Sequence, residues 1–299
     1  MVRQLFVLVC GGGMACIAST QEIEPRAYLP APVGATVFLG AYGRSTGAIL
    51  TDPSLPVDDV EAEINAAAIG VGHTFGLFGR LASVGIVIPH IQGHFTGTLD
   101  GTPAEANRSD IGDVRLRLAA NLIGIPALEL KEFAKRKPST NVGVSLVIAA
   151  PTGDYDPDKL INVGTNRWAF KPEIGVNHPI GKWLLEGAAG VWIFTDNDDY
   201  FGGRLREQDP LVSVQAHVSY NFRPRLWLAL NGTYYEGGRT TVDGVPARNR
   251  QSNSRAGLTL SVPVGRRQSI RFYWSKGATT RIGSDFTNYG VAWQYTLVD

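Results

Sequence analysis

The chain has 299 residues, enough for one large domain or two ordinary ones with a sizeable core. Its 28 Lys and Arg against 27 Asp and Glu leave a net charge of +1, which removes the electrostatic case for nucleic-acid binding. Charged residues are 18% of the chain, below the roughly 25% of soluble domains. Combined with 35 glycines, this disfavours a helical protein.

The first element is not a folded one. Arg3 gives a basic start, residues 5–18 are apolar or small, and Ala18, Ser19 and Thr20 follow. That order predicts a secretory signal peptide over residues 1–20, and therefore export. The apolar stretch is too short for a permanent membrane helix, and Gly11, Gly12 and Gly13 weaken it further. Both cysteines, Cys10 and Cys16, lie inside it, so no disulfide, zinc-thiolate or thiol chemistry is expected afterwards. Gly13-Met14-Ala15 lacks the aliphatic residue that a lipoprotein signal carries before its cysteine. Residues 21–33 come next, with Pro25, Pro30 and Pro32, and no sheet partner of their own.

From residue 34 onward helical spacing is nearly absent and period-2 alternation dominates. The stretch 60–74 and the start of 79–96 are blurred, which bulges at their glycines would explain. Over 111–123 the even positions Val114, Leu116, Leu118, Ala120 and Leu122 are apolar, whereas the odd ones include Asp113, Arg115, Arg117 and Asn121. Residues 127–137 read as a brief amphipathic helix with Glu132 and Arg136 at i,i+4. Over 166–178, Trp168, Phe170, Pro172, Ile174 and Val176 oppose Arg167, Lys171, Glu173 and Asn177. Around Val212, the face Val212, Val214, Ala216, Val218, Tyr220 and Phe222 opposes Ser213, Gln215, His217, Ser219 and Asn221. The segments 225–236, 253–264, 268–277 and 286–297 alternate in the same way.

This amounts to about twelve strands of roughly 9–15 residues, against a mean of 5–6 in soluble sheets. Such length with strict alternation predicts an all-β fold, an antiparallel up-and-down transmembrane β-barrel over residues 34–299. The competing reading, a large soluble β-sandwich, needs shorter strands. The connections support the barrel. Links at 75–79, 179–182, 223–224 and 265–267 are short, and those at 44–59, 98–110, 152–165, 196–208, 237–252 and 278–285 are long and polar. They alternate, apart from 124–139, as periplasmic turns and external loops do. An even strand count puts both barrel ends in the periplasm. Outward-parity aromatics sort into two girdles: Trp183, Tyr220, Phe222, Trp293 and Tyr295 at periplasmic ends, Trp168, Tyr234 and Trp274 at external ends.

Two resemblances follow from particular residues. Asn288-Tyr289-Gly290-Val291-Ala292-Trp293-Gln294-Tyr295 is similar to the β-signal read by the outer-membrane assembly machinery, although it stops four residues short of Asp299. That likeness implies a partner engaged through Asn288, Gly290, Trp293 and Tyr295. Pro151-Thr152-Gly153-Asp154-Tyr155, Ile161-Asn162-Val163-Gly164-Thr165-Asn166-Arg167-Trp168, Lys171-Pro172-Glu173 and Gln208-Asp209-Pro210-Leu211 resemble the outer-membrane transporter family named for the MetA pathway of phenol degradation. The likeness spans roughly residues 34–298. It implies an outer-membrane barrel that moves small, often aromatic or hydrophobic compounds.

Other candidate motifs are weaker. Asp154, Asp156 and Asp158 have calcium-loop spacing, but no glutamate closes the set and Pro157 interrupts it, so a solvated external loop is expected there and at 196–199. On a strand His90 and His94 share a face about 13 Å apart, too far for one metal. Gly70-Val71-Gly72 lacks the strand–helix setting of a dinucleotide site. No catalytic, cofactor or metal residue is expected, although a barrel enzyme is a further reading that would need a nucleophile and base at the lipid-facing wall.

Function is expected on the inward parity, among membrane lipids outside and a small-molecule solute inside. That set holds Glu61, Glu63, Arg115, Arg117, Arg167, Lys171, Glu173, Glu186, Gln215, His217, Arg255 and Arg271, with Trp192, Phe194, Trp227, Tyr235 and Tyr273. The basic members point to a passive channel with a preference for organic anions. The alternative is a structural or binding barrel whose ion pairs close the interior, since twelve strands lie between the filled interior of eight and the open one of sixteen. Residues 21–33 are expected either to thread the lumen as a plug or to hang in the periplasm.

Overall fold

The structure, a computed structural model, describes residues 24–50, 57–99 and 101–298. The expected signal segment 1–20 lies outside the described residues. In chain order the elements are β1 (Ala35–Leu50), β2 (Val57–Leu77), β3 (Arg80–Leu99), β4 (Thr102–Ile111), β5 (Arg115–Ile123), α1 (Leu130–Phe133), β6 (Asn141–Ala149), β7 (Ala169–Ile180) and β8 (Trp183–Phe194). They continue with β9 (Asn197–Tyr200), β10 (Arg204–Gln208), β11 (Leu211–Arg223), β12 (Leu226–Gly237), β13 (Thr240–Val242), β14 (Val245–Pro246), β15 (Gln251–Val264), β16 (Gln268–Thr279) and β17 (Gly283–Val298).

Pairing runs antiparallel in the order β2-β1-β17-β16-β15-β12-β11-β8-β7-β6-β5-β3, and β2–β3 closes the ring. β4 and β5 both pair with β3 on either side of a break at residues 112–114, so they make one crossing. Twelve crossings result among the described residues. The chain is an all-β, antiparallel up-and-down barrel.

Alternation sets the wall. In β6, Val142, Val144, Leu146 and Ile148 turn out, while Asn141, Ser145, Val147 and Ala149 are buried inward. Along β11 the outward Val212, Val214 and Val218 are exposed, whereas Ser213, Gln215, His217 and Ser219 are buried. An exposed apolar surface of this kind is stable only against hydrocarbon. The girdles form as edge-on and stacked pairs: Trp183 with Tyr220 at 4.8 Å, Tyr220 with Phe222 at 5.1 Å, and Trp293 with Tyr295 at 6.2 Å.

Periplasmic turns are tight. Phe78 and Gly79 both take positive φ, 49° and 74°, which gives the two-residue hairpin between β2 and β3 the twist its strands need. The external side is built up instead. β9, β10, β13 and β14 form a separate four-stranded sheet within the expected loops 196–208 and 237–252. Expected loops 44–59 and 98–110 are largely strand, because β1 reaches Leu50, β2 starts at Val57 and β3 and β4 meet near residue 100.

The structure corrects three expectations. The β2–β3 register runs unbroken from Glu61↔Thr96 to Leu77↔Arg80, so bulges at glycines do not explain its blurred pattern; its register shift lies at Asp58/Glu61, where Asp59 has φ 52°. The blur arises because the inward residues Ala62, Ala66, Ala68, Gly70 and Gly72 are small rather than polar. Glu61 and Glu63 face outward, not into the lumen. That part of the ribbon stands above the hydrocarbon, where the outward face meets water, and Glu63 pairs there with Arg44 at 2.8 Å. The helix over 127–137 shrinks to the four residues of α1. Flanking residues are pulled straight by Ala127 N–H donating to Gly79 and Val33 N–H donating to Leu128, and Glu129 supplies no side-chain cap.

Two predictions follow from this wall. Leu116 faces out on β5 between Ile86 and Ile148, so Leu116→Arg should destabilise the barrel by about 2–4 kcal/mol if it sits near the midplane. Urea unfolding in lipid vesicles measures this, and no loss of stability would contradict the assignment of that face. A cysteine introduced within 237–252 should react with an impermeant thiol reagent on intact cells, whereas one at 224 should not.

Candidate functional site

The lumen is filled from one side by residues 24–33, which run inside the barrel. The Glu24 amide donates to Gln215 Oε1 at 3.0 Å and the Arg26 amide to Glu186 Oε1 at 2.8 Å. The Arg26 guanidinium donates to Asn221 Oδ1 at 2.7 Å and lies 4.1 Å over the Trp227 ring. At the far end Thr74 Oγ1 donates to Pro32 O at 2.7 Å, and Ala31 and Val33 pack with Ala35, Val37 and Leu81.

Tyr28 is the centre of this contact. Gly143 of β6 and Gly175 of β7 are register partners on the inward parity, and together they leave a notch that the Tyr28 ring fills. A Cβ at Gly175 would lie 2.2 Å from the ring, and one at Gly143 2.7 Å. The phenol donates to Glu173 Oε1 at 2.8 Å and meets Ser145 Oγ at 2.8 Å, while Asn177 Nδ2 donates to the Tyr28 carbonyl at 2.5 Å. Each of these partners sits on the inward row of β6 or β7, placed by the period of the strand.

The expected lumen residues separate into groups. Lys171, Glu173 and Arg117 gather around Tyr28: Lys171 Nζ is 3.3 Å from Glu173 Oε2, with both side chains 1% exposed. Arg117 stacks 5.2 Å from the Tyr28 ring and donates to Ala27 O and Ser145 Oγ at 3.4 and 3.3 Å. Arg115, Arg117 and Arg271 border one cavity of about 130 Å³ beside the segment. Arg271 also donates to Gln294 Oε1 at 2.8 Å. Arg167 stands apart at the start of β7, bonded to Gln208 and 4.4 Å over Phe194. His217 meets Asn231 Oδ1 at 3.0 Å. Arg255 donates to the Phe286 carbonyl at 2.6 Å on the β15–β17 side. The structure therefore does not collect the basic side chains into a single ring.

Sequence reasoning left out Arg26, Tyr28, Gly143 and Gly175. The available signal was a pair of glycines on the polar parity of adjacent strands, where a channel wall would carry side chains.

The family-like motifs converge on a second point, at the external mouth. Asp113, in the break between β4 and β5, accepts from the Gly153 amide at 3.0 Å through Oδ1, and through Oδ2 from the Thr165 amide at 3.1 Å and its hydroxyl at 2.6 Å. Thr152 Oγ1 accepts from the Val114 amide at 2.9 Å. Gly153 and Gly164 cross so closely that a Cβ on Gly164 would sit 2.5 Å from the Gly153 carbonyl oxygen. Asn197, 1% exposed, donates to Tyr155 Oη at 2.9 Å and accepts from Asn166 Nδ2 at 2.9 Å. The motif thus ties the loop 152–165 to the bent strand. In the same loop Asp156 turns to Lys159 at 2.6 Å, and that side chain with the Asp158 amide holds its carboxyl below the usual range. Among the described residues no group of three or more His, Cys, Asp or Glu side chains is placed to hold a metal ion. His94 instead meets Asn107 at 2.8 Å on the outer face of β3 and β4.

Asp113→Ala should release the loop. Trypsin should then cut at Lys159 at least tenfold faster, with the barrel still shifting on heating in gels; unchanged cleavage would show that Asp113 does not hold it.

The comparisons with known proteins agree with this architecture. The family model described as "Putative MetA-pathway of phenol degradation" matches residues 51–295. Among solved structures, an outer-membrane channel from Pseudomonas putida superposes with a TM-score of 0.79 at 21% identity, covering 92% of this chain and 100% of that one. The β domain of the Bordetella autotransporter BrkA gives a TM-score of 0.50 at 9% identity, covering 88% of this chain and 99% of that one. Both likenesses concern the fold. None of the curated proteins matches the chain. The matched span takes in the wall from β2 onward, the lumen row and the mouth knot, and the chain belongs to the family described as "Putative MetA-pathway of phenol degradation".

Proposed function

We propose that the protein is a passive outer-membrane channel for small solutes, with residues 24–33 acting as a plug in its lumen. The observation that carries this reading is the glycine notch. A barrel whose interior served only to be filled would pack side chains at positions 143 and 175, whereas here the wall leaves space for a ring from a separate segment. A segment held by hydrogen bonds, two cation–π contacts and one notch can be withdrawn without breaking any strand pairing. The family description points to phenolic or other small aromatic compounds as cargo. Arg115, Arg117, Arg167, Lys171, Glu173, His217, Arg255 and Arg271 then line or support the solute path. This is transport rather than chemistry on the solute.

In the same reading residues 1–20 direct export, and β17 is the strand that the assembly machinery recognises through Asn288, Gly290, Trp293 and Tyr295. Two of those residues also have local reasons to be there. A Cβ at Gly290 would lie 1.9 Å from the Tyr273 ring, and Trp293 Nε1 donates to Gln268 Oε1 at 2.9 Å.

A closed structural barrel is the second reading, favoured by the fully buried Lys171–Glu173 pair on the inward row of β7. Planar-bilayer conductance separates the two. Gly175→Val should displace Tyr28 and raise single-channel conductance severalfold over the wild type, as should deletion of residues 24–33. If both variants, verified as folded, conduct no better than the wild type and pass no solute into liposomes, the channel reading fails.

A further inference from the structure

The cavity beside the plug has two unlike halves. On one side β2 and β3 contribute Gly70, Gly72 and Gly85, with Leu39 of β1 and Val87 completing a smooth apolar face. Register places these residues side by side: Gly72 pairs with Gly85, and Gly70 with Val87. On the other side the same two rungs continue into β5, where Gly85 pairs with Arg117 and Val87 with Arg115. A flat apolar surface therefore passes directly into two guanidinium groups within one strand spacing.

Three guanidinium groups line the cavity. Among the described lining residues Arg115, Arg117 and Arg271 face one carboxylate, Glu24. The Nε of Arg117 is buried without a hydrogen-bond partner, although both its terminal nitrogens are engaged. The volume is about 130 Å³, close to the roughly 150 Å³ of an engineered apolar cavity that accepts benzene. A guanidinium fork matches a carboxylate in plane and spacing. A rigid planar ring loses little conformational freedom against a flat wall.

We propose that this cavity is a binding site for a small aromatic carboxylate of benzoate size, with its ring on the glycine face of β2 and β3 and its carboxylate toward Arg115 and Arg117. The site lies beside Ala27 and Tyr28, so the plug forms one of its walls. The proposal rests on the channel reading for its purpose and specifies the class of solute.

Calorimetric titration of the full chain in neutral detergent at pH 7 tests it. Benzoate should bind saturably with one equivalent, acetate should bind at least tenfold more weakly, and anthracenecarboxylate, too large for the cavity, should not displace benzoate. Gly85→Val places a side chain in the cavity with its Cβ at an ordinary 3.5 Å from the Val71 carbonyl oxygen, and should weaken benzoate at least tenfold. Val87→Phe is a second filling variant with the same expected loss. Arg115→Gln should lower benzoate affinity to that of phenol while leaving phenol binding unchanged. The proposal is overturned if acetate matches benzoate, if anthracenecarboxylate displaces it, or if a folded filling variant binds like the wild type. Benzoate flux into liposomes through the plug-deleted protein without saturable binding would sink the site and leave the channel. Saturable binding without flux would do the reverse.

Discussion

Every backbone N–H and C=O inside the hydrocarbon has to find its partner within the protein, because lipid offers none. Pairing of β1 with β17, continuous from Ala35↔Val298 to Leu50↔Gly283, meets that requirement by joining the two ends of the sheet. The rest of the molecule depends on this closure. It fixes which parity faces lipid, sets the height at which each strand enters the lumen, and brings the segment that precedes β1 to the periplasmic opening. Ala31 and Val33 pack at that rim with Val298, so the start and the end of the barrel share one cluster.

Closure also determines what the interior can contain. A polar group turned inward is removed from lipid but not returned freely to water, and it is satisfied by neighbours across the lumen. The plug supplies many of those partners: Gln215, Glu186, Asn221, Ser145, Glu173 and Asn177 each bond to residues 24–28. On the β6–β8 and β11 side the wall is polar and meets the plug closely. The β1–β3 side carries small apolar residues and glycine; the plug touches it at the rim through Ala31, Pro32 and Val33 and leaves a gap beside Ala27 and Tyr28. The cavity is the gap between a satisfied half and an apolar half.

Most of the wall could be read from the sequence, because hydrophobic alternation of period two is local and survives without any knowledge of neighbours. The strand faces of β5, β7, β11 and β12, both girdles and the twelve crossings follow from it. Glu61 and Glu63 show where the rule stops: above the hydrocarbon the outward face is wet, and parity no longer separates polar from apolar. The plug contacts were not legible for a different reason. Tyr28 lies 117 residues from Ser145 and 145 from Glu173, and no periodicity connects an irregular segment to the strand it docks on. Motif resemblance located the mouth residues without explaining them. Their use lies in Asp113, the acceptor shared by Gly153 and Thr165, 40 and 52 residues away in the chain.

The break at residues 112–114 also affects how the molecule meets its neighbours. Beyond it β4 pairs with β3 alone among the described strands, so a ten-residue strand presents a largely open edge outside the membrane. An open edge is a template on which another chain can add itself. This one carries Pro103, Glu105, Arg108 and Asp110, and Arg108 reaches across to the Ile161 carbonyl at 2.6 Å. A proline that cannot donate and charges that resist desolvation are the devices that keep an edge from zippering. The sharp bend that anchors the mouth loop therefore leaves a free strand margin, and the residues along that margin are of the kinds that disfavour pairing with another chain.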